Sequence, residues 1–308
     1  MPRHHREYAE EAQAVSALRA LLAGVVDYAG LFPPAGVDMM DAVRNYSEYR
    51  TRDESWMLGR FVVPTARLDD FSEQLHAISV QAEPEWRLSA LLGNDIDADV
   101  ERVRNFNRAH RGRARVDALE AKIGSTDAIR RAASAVGREF SLFAELSVGE
   151  GLETLIDAAK EVGIHAKLRT GGVTADAFPS VTSVVRFIRC CIVAGVRFKA
   201  TAGLHHAVRG EYRLTYDAAA PTGAMFGFLN VLLATGMMRN GLSDTDAAQL
   251  LDERDPGSFG ATPTTIRWRQ KMLDEEQTRS LRDEVMVSLG SCSFTEPVDE
   301  LRALALSP

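Results

Sequence analysis

The stretch GVRFKATAGLHH, Gly195 to His206, combines an apolar strand pattern with a lysine at its centre and two histidines at its end. Side chains alternate across a strand, so residues two apart share a face. Lys199, Thr201, Gly203 and His205 therefore face one way, and Phe198 and Ala200 the other. The same pattern recurs upstream. In AKLRTGG, Lys167 and Arg169 share a face opposite Ala166 and Leu168; in LFAELSV, Glu145 and Ser147 oppose Leu142, Ala144 and Leu146. In VDALEAK, Glu120 and Lys122 share a face with Val116 and Ala118. Lysines crowded with an arginine lose basicity through desolvation and like-charge repulsion, and a neutral lysine can attack a carbonyl to form a Schiff base. Glu120, Glu145 and His205 are the candidates for moving protons.

These residues need a scaffold that brings successive strands side by side. From about Gly59 to His206, short β-branched runs alternate with charged stretches of helical period. Strands are expected at 59–66, 86–93, 114–124, 140–149, 163–172 and 195–206, with helices at 69–79, 98–110, 127–137, 151–163 and 180–195. Residues 24–36 with 37–50 make one further unit, and 288–306 a last short strand or loop running into a final helix. Eight units predict a single-domain (β/α)8 TIM-type barrel over residues 1–308. The rival, a doubly wound open sheet, would usually open on a glycine-rich turn, and no G-x-G-x-x-G is present. The rhythm breaks at 209–284, read as an inserted helical and irregular excursion serving as a lid or an oligomer contact. Within it, 224–238 reads as a buried core helix interrupted by Asn230, too short to span a bilayer comfortably.

Barrel strands have no solvent face, so charges there must pair with each other, with a ligand, or both. A Glu145–Lys167 pair across neighbouring strands is the structural way to satisfy them. Barrel active sites form at the strands' C-terminal ends, where these charges lie, and this favours function. Two segments suit an anion: RTGG (169–172), with Arg169, Gly171 and Gly172, and GSCSFTEP (290–297), with Ser291, a Thr295 N-cap and Pro297 in the first turn.

The segment AGVRFKATAG, Ala194 to Gly203, resembles the Schiff-base strand of class I aldolases of the deoxyribose-phosphate aldolase type, with Lys199, Thr201 and Gly203 on its Lys-x-Ser/Thr-x-Gly motif. The resemblance implies a barrel and a lyase in which Lys199 is the covalent residue. KATAGLHH and GSCSFTEPV are also similar to segments of an uncharacterised bacterial family.

The sequence therefore predicts a lyase or aldolase acting on a small anionic carbonyl compound. Lys199, Lys167, Glu145, Glu120 and His205 are its catalytic candidates; Arg169, Thr201, Gly171, Gly172 and Ser291 its substrate contacts. No cofactor is expected on this reading. A second reading is a metal-dependent hydrolase or lyase in which His205, Glu120, Glu145 and Asp27 hold a divalent ion. A third is a non-catalytic assembly protein with a structural ion-pair layer. With 36 Lys and Arg against 43 Asp and Glu, a formal net charge of −7 argues against nucleic acid or an anionic membrane as partner. A homo-oligomer remains the one macromolecular partnership left open. The polar N-terminus, with His4 and His5 assigned no role, lacks an apolar signal region; with three cysteines in no paired spacing, the expected compartment is the cytoplasm.

Overall fold

A computed structural model of the chain describes residues 16–78 and 84–306; His4 and His5 lie outside the described residues. The elements begin with α1 (Ala17–Leu22), β1 (Val26–Tyr28), α2 (Met39–Tyr49), β2 (Leu58–Pro64), α3 (Leu68–Ala77), β3 (Trp86–Leu91), α4 (Ile96–Ala109), β4 (Ala114–Lys122) and α5 (Thr126–Val136). They continue with β5 (Ser141–Glu145), α6 (Leu152–Val162), β6 (His165–Arg169), α7 (Val181–Ala194) and β7 (Phe198–Thr201). Then come the hairpin β8 (Gly210–Arg213) and β9 (Thr222–Met225), followed by α8 (Phe228–Arg239), α9 (Asp244–Asp252), β10 (Phe259–Ala261), β11 (Thr265–Trp268), β12 (Lys271–Asp274) and α10 (Glu275–Glu284). β13 (Met286–Ser291) and α11 (Thr295–Ala303) complete the chain.

Eight parallel strands close into a barrel in the order β1-β13-β7-β6-β5-β4-β3-β2. The pairing of Val26 with Leu289 and of Val26 with Leu58 seals the first strand to the last and to the second, so the open-sheet alternative does not hold. Residues 209–284 form an excursion between the last two barrel strands, as the broken rhythm implies. That region is more ordered than its charge, proline and glycine content suggests. Thr265–Trp268 and Lys271–Asp274 alternate in period two, and with Phe259–Ala261 they build a three-stranded antiparallel sheet.

Local sequence explains the elements that carry charge. α7 opens on Ser180, whose hydroxyl accepts from the Ser183 N–H, and closes on Gly195 in the left-handed region, φ 69°. Gly163, φ 74°, ends α6 in the same way and hands the chain to β6. These two glycines set where β6 and β7 begin, two residues ahead of Lys167 and one ahead of Lys199. The registers Glu145↔Lys167 and Lys167↔Lys199 then place the three charges in one row across β5, β6 and β7.

β4 departs from simple alternation. Leu88 pairs with Val116 but Ser89 pairs with Ala118, so Asp117 is an extra residue and the parity of the strand changes there. Val116 belongs to the outer apolar core and does not share a face with Glu120, contrary to a strict period of two. Lys122 is exposed at the strand end and joins no charge row.

α8 is buried along Phe228–Met238, as a core helix should be. Its one amide is fully employed: the Asn230 oxygen accepts from the Arg209 N–H at 2.9 Å, and its nitrogen donates to the Leu250 and Glu253 carbonyls at 2.8 and 2.9 Å. Asn230→Leu leaves the Arg209 N–H and the Glu253 carbonyl without a partner, the Leu250 carbonyl keeping the Glu253 N–H, and is expected to cost about 2–4 kcal/mol in urea unfolding. A loss under about 0.5 kcal/mol would show that water replaces the amide freely.

Candidate active site

Every strand from β4 to β7 delivers a charge to the barrel's C-terminal half, and β1 adds one more. Lys199 Nζ donates to Asp27 Oδ2 at 2.6 Å and to Glu120 Oε1 at 2.7 Å. Glu120 Oε2 meets Lys167 Nζ at 2.8 Å, and Lys167 reaches Glu145 Oε2 at 2.9 Å. Arg169 Nε donates to Glu145 Oε1 at 3.1 Å. Acid and base thus alternate from Asp27 through Lys199, Glu120, Lys167 and Glu145 to Arg169, with three charges of each sign. The row runs from complete burial to the lip: the Asp27 side chain is 0% exposed and that of Arg169 52%.

Hydroxyls and backbone complete the coordination of the deepest acids. Ser89 donates to Glu120 Oε1 at 2.6 Å; Ser288 donates to Asp27 Oδ2 at 2.7 Å, and the Arg60 N–H to Asp27 Oδ1 at 2.8 Å. Lys199 Nζ also lies 5.6 Å from the centre of the Phe143 ring.

This environment reverses the expected basicity of Lys199. Burial alone would lower its pKa, but Asp27 and Glu120 outweigh burial and raise it above the ordinary lysine value. The groups at bonding distance from Lys199 are the carboxylates of Asp27 and Glu120, and not Lys167 and Arg169, whose crowding the sequence reading expected to lower its basicity. Burial would raise the Glu120 carboxyl; Lys167 and Lys199 overcome it and hold the group well below the usual range. Glu145 is likewise held down, burial being outweighed by Lys167 and Arg169. Lys199 is therefore an ammonium and both glutamates are carboxylates at neutral pH.

Above the row lies a cavity of about 220 Å³, room for a compound of modest size. Glu120, Lys167, Lys199, Arg169, Thr201 and His205 contribute to its wall, and Phe32, Pro33, Pro34, Val62 and Leu91 give it an apolar side. The structure thus brings most of the sequence candidates to one space. Gly172 borders it, but Gly171 serves packing: a Cβ there would stand 2.5 Å from the Phe178 ring. Ser291 lies behind the wall. Its hydroxyl is 3.2 Å from His205 Nδ1 and orients that ring.

Burial first, then His206, lowers the His205 pKa to about 4, so the ring is neutral at pH 7. Cys292 Sγ sits 3.5 Å from His205 Nδ1, and burial pushes its thiol up to about 11. His206 turns away to Glu300 at 2.5 Å, which also accepts from the Ala207 N–H, so only one of the adjacent histidines faces the cavity. The N-cap function expected of Thr295 falls to Ser293, whose hydroxyl accepts from the Glu296 N–H at 3.1 Å; Thr295 is the first helical residue.

The metal arrangement is not assembled. Both Glu120 oxygens already hold ammonium groups, and His205 is engaged with Ser291 and Cys292. Among the described residues no group of three or more His, Cys, Asp and Glu side chains is disposed to hold a metal ion. Sequence reasoning weighed Asp27 only as a metal ligand and missed Ser89, Ser288 and Cys292 as parts of the site. An acid in the apolar run GVVDYAG carries the same signal as Lys199 in its strand.

No protein family's profile matches the chain, and no curated protein matches it. Among solved structures it is similar to the lysine/ornithine decarboxylase of Vibrio vulnificus complexed with cadaverine, at 11% identity and a TM-score of 0.41. The match covers 93% of this chain and 66% of that one, so the chain spans just under two thirds of its length. A likeness at that level carries no inference about chemistry.

Proposed function

We propose that the chain is a lyase-type enzyme that cleaves a small anionic carbonyl compound, with the ammonium groups of Lys199 and Lys167 drawing electrons into the carbonyl. One observation carries this reading: two lysines share a single buried carboxylate, Glu120, in the wall of a cavity at the C-terminal end of the barrel. An ammonium has three donors, and each lysine commits two to carboxylates, leaving one for a substrate oxygen. When a carbon–carbon bond beside the carbonyl breaks, its electron pair enters the carbonyl system and the resulting enolate oxygen is held by the ammonium. Arg169, at the lip, receives the carboxylate or phosphate of the substrate. Neutral His205 takes the hydroxyl proton of the leaving fragment as that fragment becomes a carbonyl, and returns it to the enolate carbon.

The raised pKa of Lys199 supports this electrostatic role over a covalent one. An imine would require Lys199 first to pass a proton to Glu120, a carboxylate held far below neutrality. The complete internal pairing supports a second reading, in which the row is a layer that closes the barrel and does no chemistry.

Turnover of a panel of 3-hydroxy acids, 2-oxo acids and phosphorylated hydroxy-ketones, followed by proton NMR, separates the two. The enzymatic reading expects cleavage by the native chain, a loss of about 10²–10³ in kcat for Lys167→Met, and for Arg169→Gln a KM about tenfold higher at unchanged kcat. Absence of turnover across the panel favours the structural layer. A mass gain on Lys199 after borohydride treatment with substrate would restore the imine.

A further inference from the structure

The opposite end of the barrel holds a second cavity, of about 650 Å³, walled by residues at the starts of strands, by α1 and the turn after it, and by α10. Six guanidinium groups border it, those of Arg19, Arg60, Arg87, Arg197, Arg279 and Arg282; the acidic side chain among its described lining residues is Asp283. Neighbouring acids answer only part of this charge. Asp117 takes two arginines at once, Arg60 at 2.6 Å and Arg87 at 2.7 Å, and Glu275 takes Arg279 at 2.6 Å. Arg19 lies over the Trp56 ring at 4.8 Å.

Arg197 and Arg282 are left without a carboxylate partner among the described residues, and the Nε atom of each is sealed from solvent with no hydrogen-bond acceptor. Arg282 does hold the chain together, donating to the Met286 carbonyl at 2.7 Å and the Ala23 carbonyl at 3.1 Å. Among the described residues the Arg197 guanidinium has no such carbonyl partner.

The field of this cluster reaches its neighbours. Burial, followed by Arg197 and Arg60, lowers His165 to about 4. Burial also presses Arg282 down to about 10; Asp27 and Asp283 oppose this, and Arg197 adds to it. Sealed guanidinium donors with no acceptor are costly, and native structures keep few of them. The C-terminal ends of barrel helices gather at this face and repel anions, so the arginines alone must supply the attraction.

We propose that the N-terminal mouth of the barrel is a binding site for a phosphate ester or diphosphate, with Arg197 and Arg282 as its anchoring cations. Phosphate oxygens match the guanidinium fork: they can meet the Arg197 amino groups, which make no hydrogen bond among the described residues, and answer a charge on both arginines that no carboxylate balances. The site is independent of the cavity at the other end and does not rest on the lyase reading.

Calorimetric titration of the full chain with inorganic pyrophosphate, at ionic strength held constant with sodium chloride, tests it. The expected result is one site per chain, weakened at least tenfold by Arg197→Gln and unaltered by Arg169→Gln at the opposite mouth. Absence of binding, equal binding to Arg197→Gln, or loss of binding through Arg169→Gln overturns the assignment. Hydrogen exchange on the unmodified chain gives a check that needs no variant. Pyrophosphate should slow exchange in 275–284 and around Ala23–Gly24. Protection confined to 29–34 and 170–173 would place the anion at the other mouth and overturn the proposal.

Discussion

Lys199→Met is expected to lower the free energy of unfolding by about 3–5 kcal/mol, the range for removing one partner of a buried ion pair. Methionine fills the space of the lysine stem, so lost packing contributes little. What remains is an odd charge: Asp27 and Glu120 each lose an ammonium, and Lys167 is left as the one lysine on Glu120 while it shares Glu145 with Arg169. Asp27 retains Ser288 and the Arg60 N–H, which soften its isolation without neutralising it. Adding Asp27→Asn to Lys199→Met restores an equal number of acids and bases, and the double variant should recover more than half of the loss. Urea midpoints read at an unchanged slope measure both effects. A single variant within about 1 kcal/mol of the native chain would show that the row is not what holds these strands together.

Acid should weaken the fold earlier than its carboxylates alone predict. His205 and His165 have folded pKa values near 4, both lowered mainly by burial, against about 6.5 for an unfolded histidine. Between those values the unfolded chain binds more protons, so stability is fullest above about 6.5 and declines as pH falls towards 4. A displacement of this size corresponds to roughly 3–4 kcal/mol for each ring once it is protonated in the fold. Glu120 and Glu145, held down by their lysines, extend the loss below the ordinary glutamate range, because their contribution is present above it and disappears as pH drops through the folded values. Lys199 acts in the other direction: its contribution is complete below the unfolded lysine value, about 10.4, and is lost as pH rises through its higher folded value. Urea unfolding between pH 7.5 and 4.5 should therefore slope downward from about 6.5, and replacing both histidines by glutamine should flatten that limb. A level profile down to pH 5 would mean that these rings are protonated in the fold at little cost.

Period-two alternation was enough to place Glu145, Lys167, Arg169 and Lys199 on one face, because β5, β6 and β7 are regular and their inward positions could be counted. It failed in β4, where the extra Asp117 shifts the count. β1 is three residues long, too short to display any period, so nothing marked Asp27 as the partner of Lys199. That partnership spans 172 positions in sequence, and the pKa of a lysine follows the acid across the barrel and not its strand neighbours. The arginine cavity escaped notice for another reason. Arg60, Arg87 and Arg197 sit at strand starts, where a charge at an element boundary looks like ordinary surface.

The alternating row from Asp27 to Arg169 also constrains how this chain can change over generations. Its members come from five strands, and each inner member answers two neighbours of opposite sign. A lineage that loses one charge crosses a poorly folded intermediate before a second substitution can compensate. Descendants should therefore keep the row whole or exchange adjacent acid and base together. The strands' outward apolar residues make no ion pair, so exchanges among them that conserve volume can be accepted one at a time.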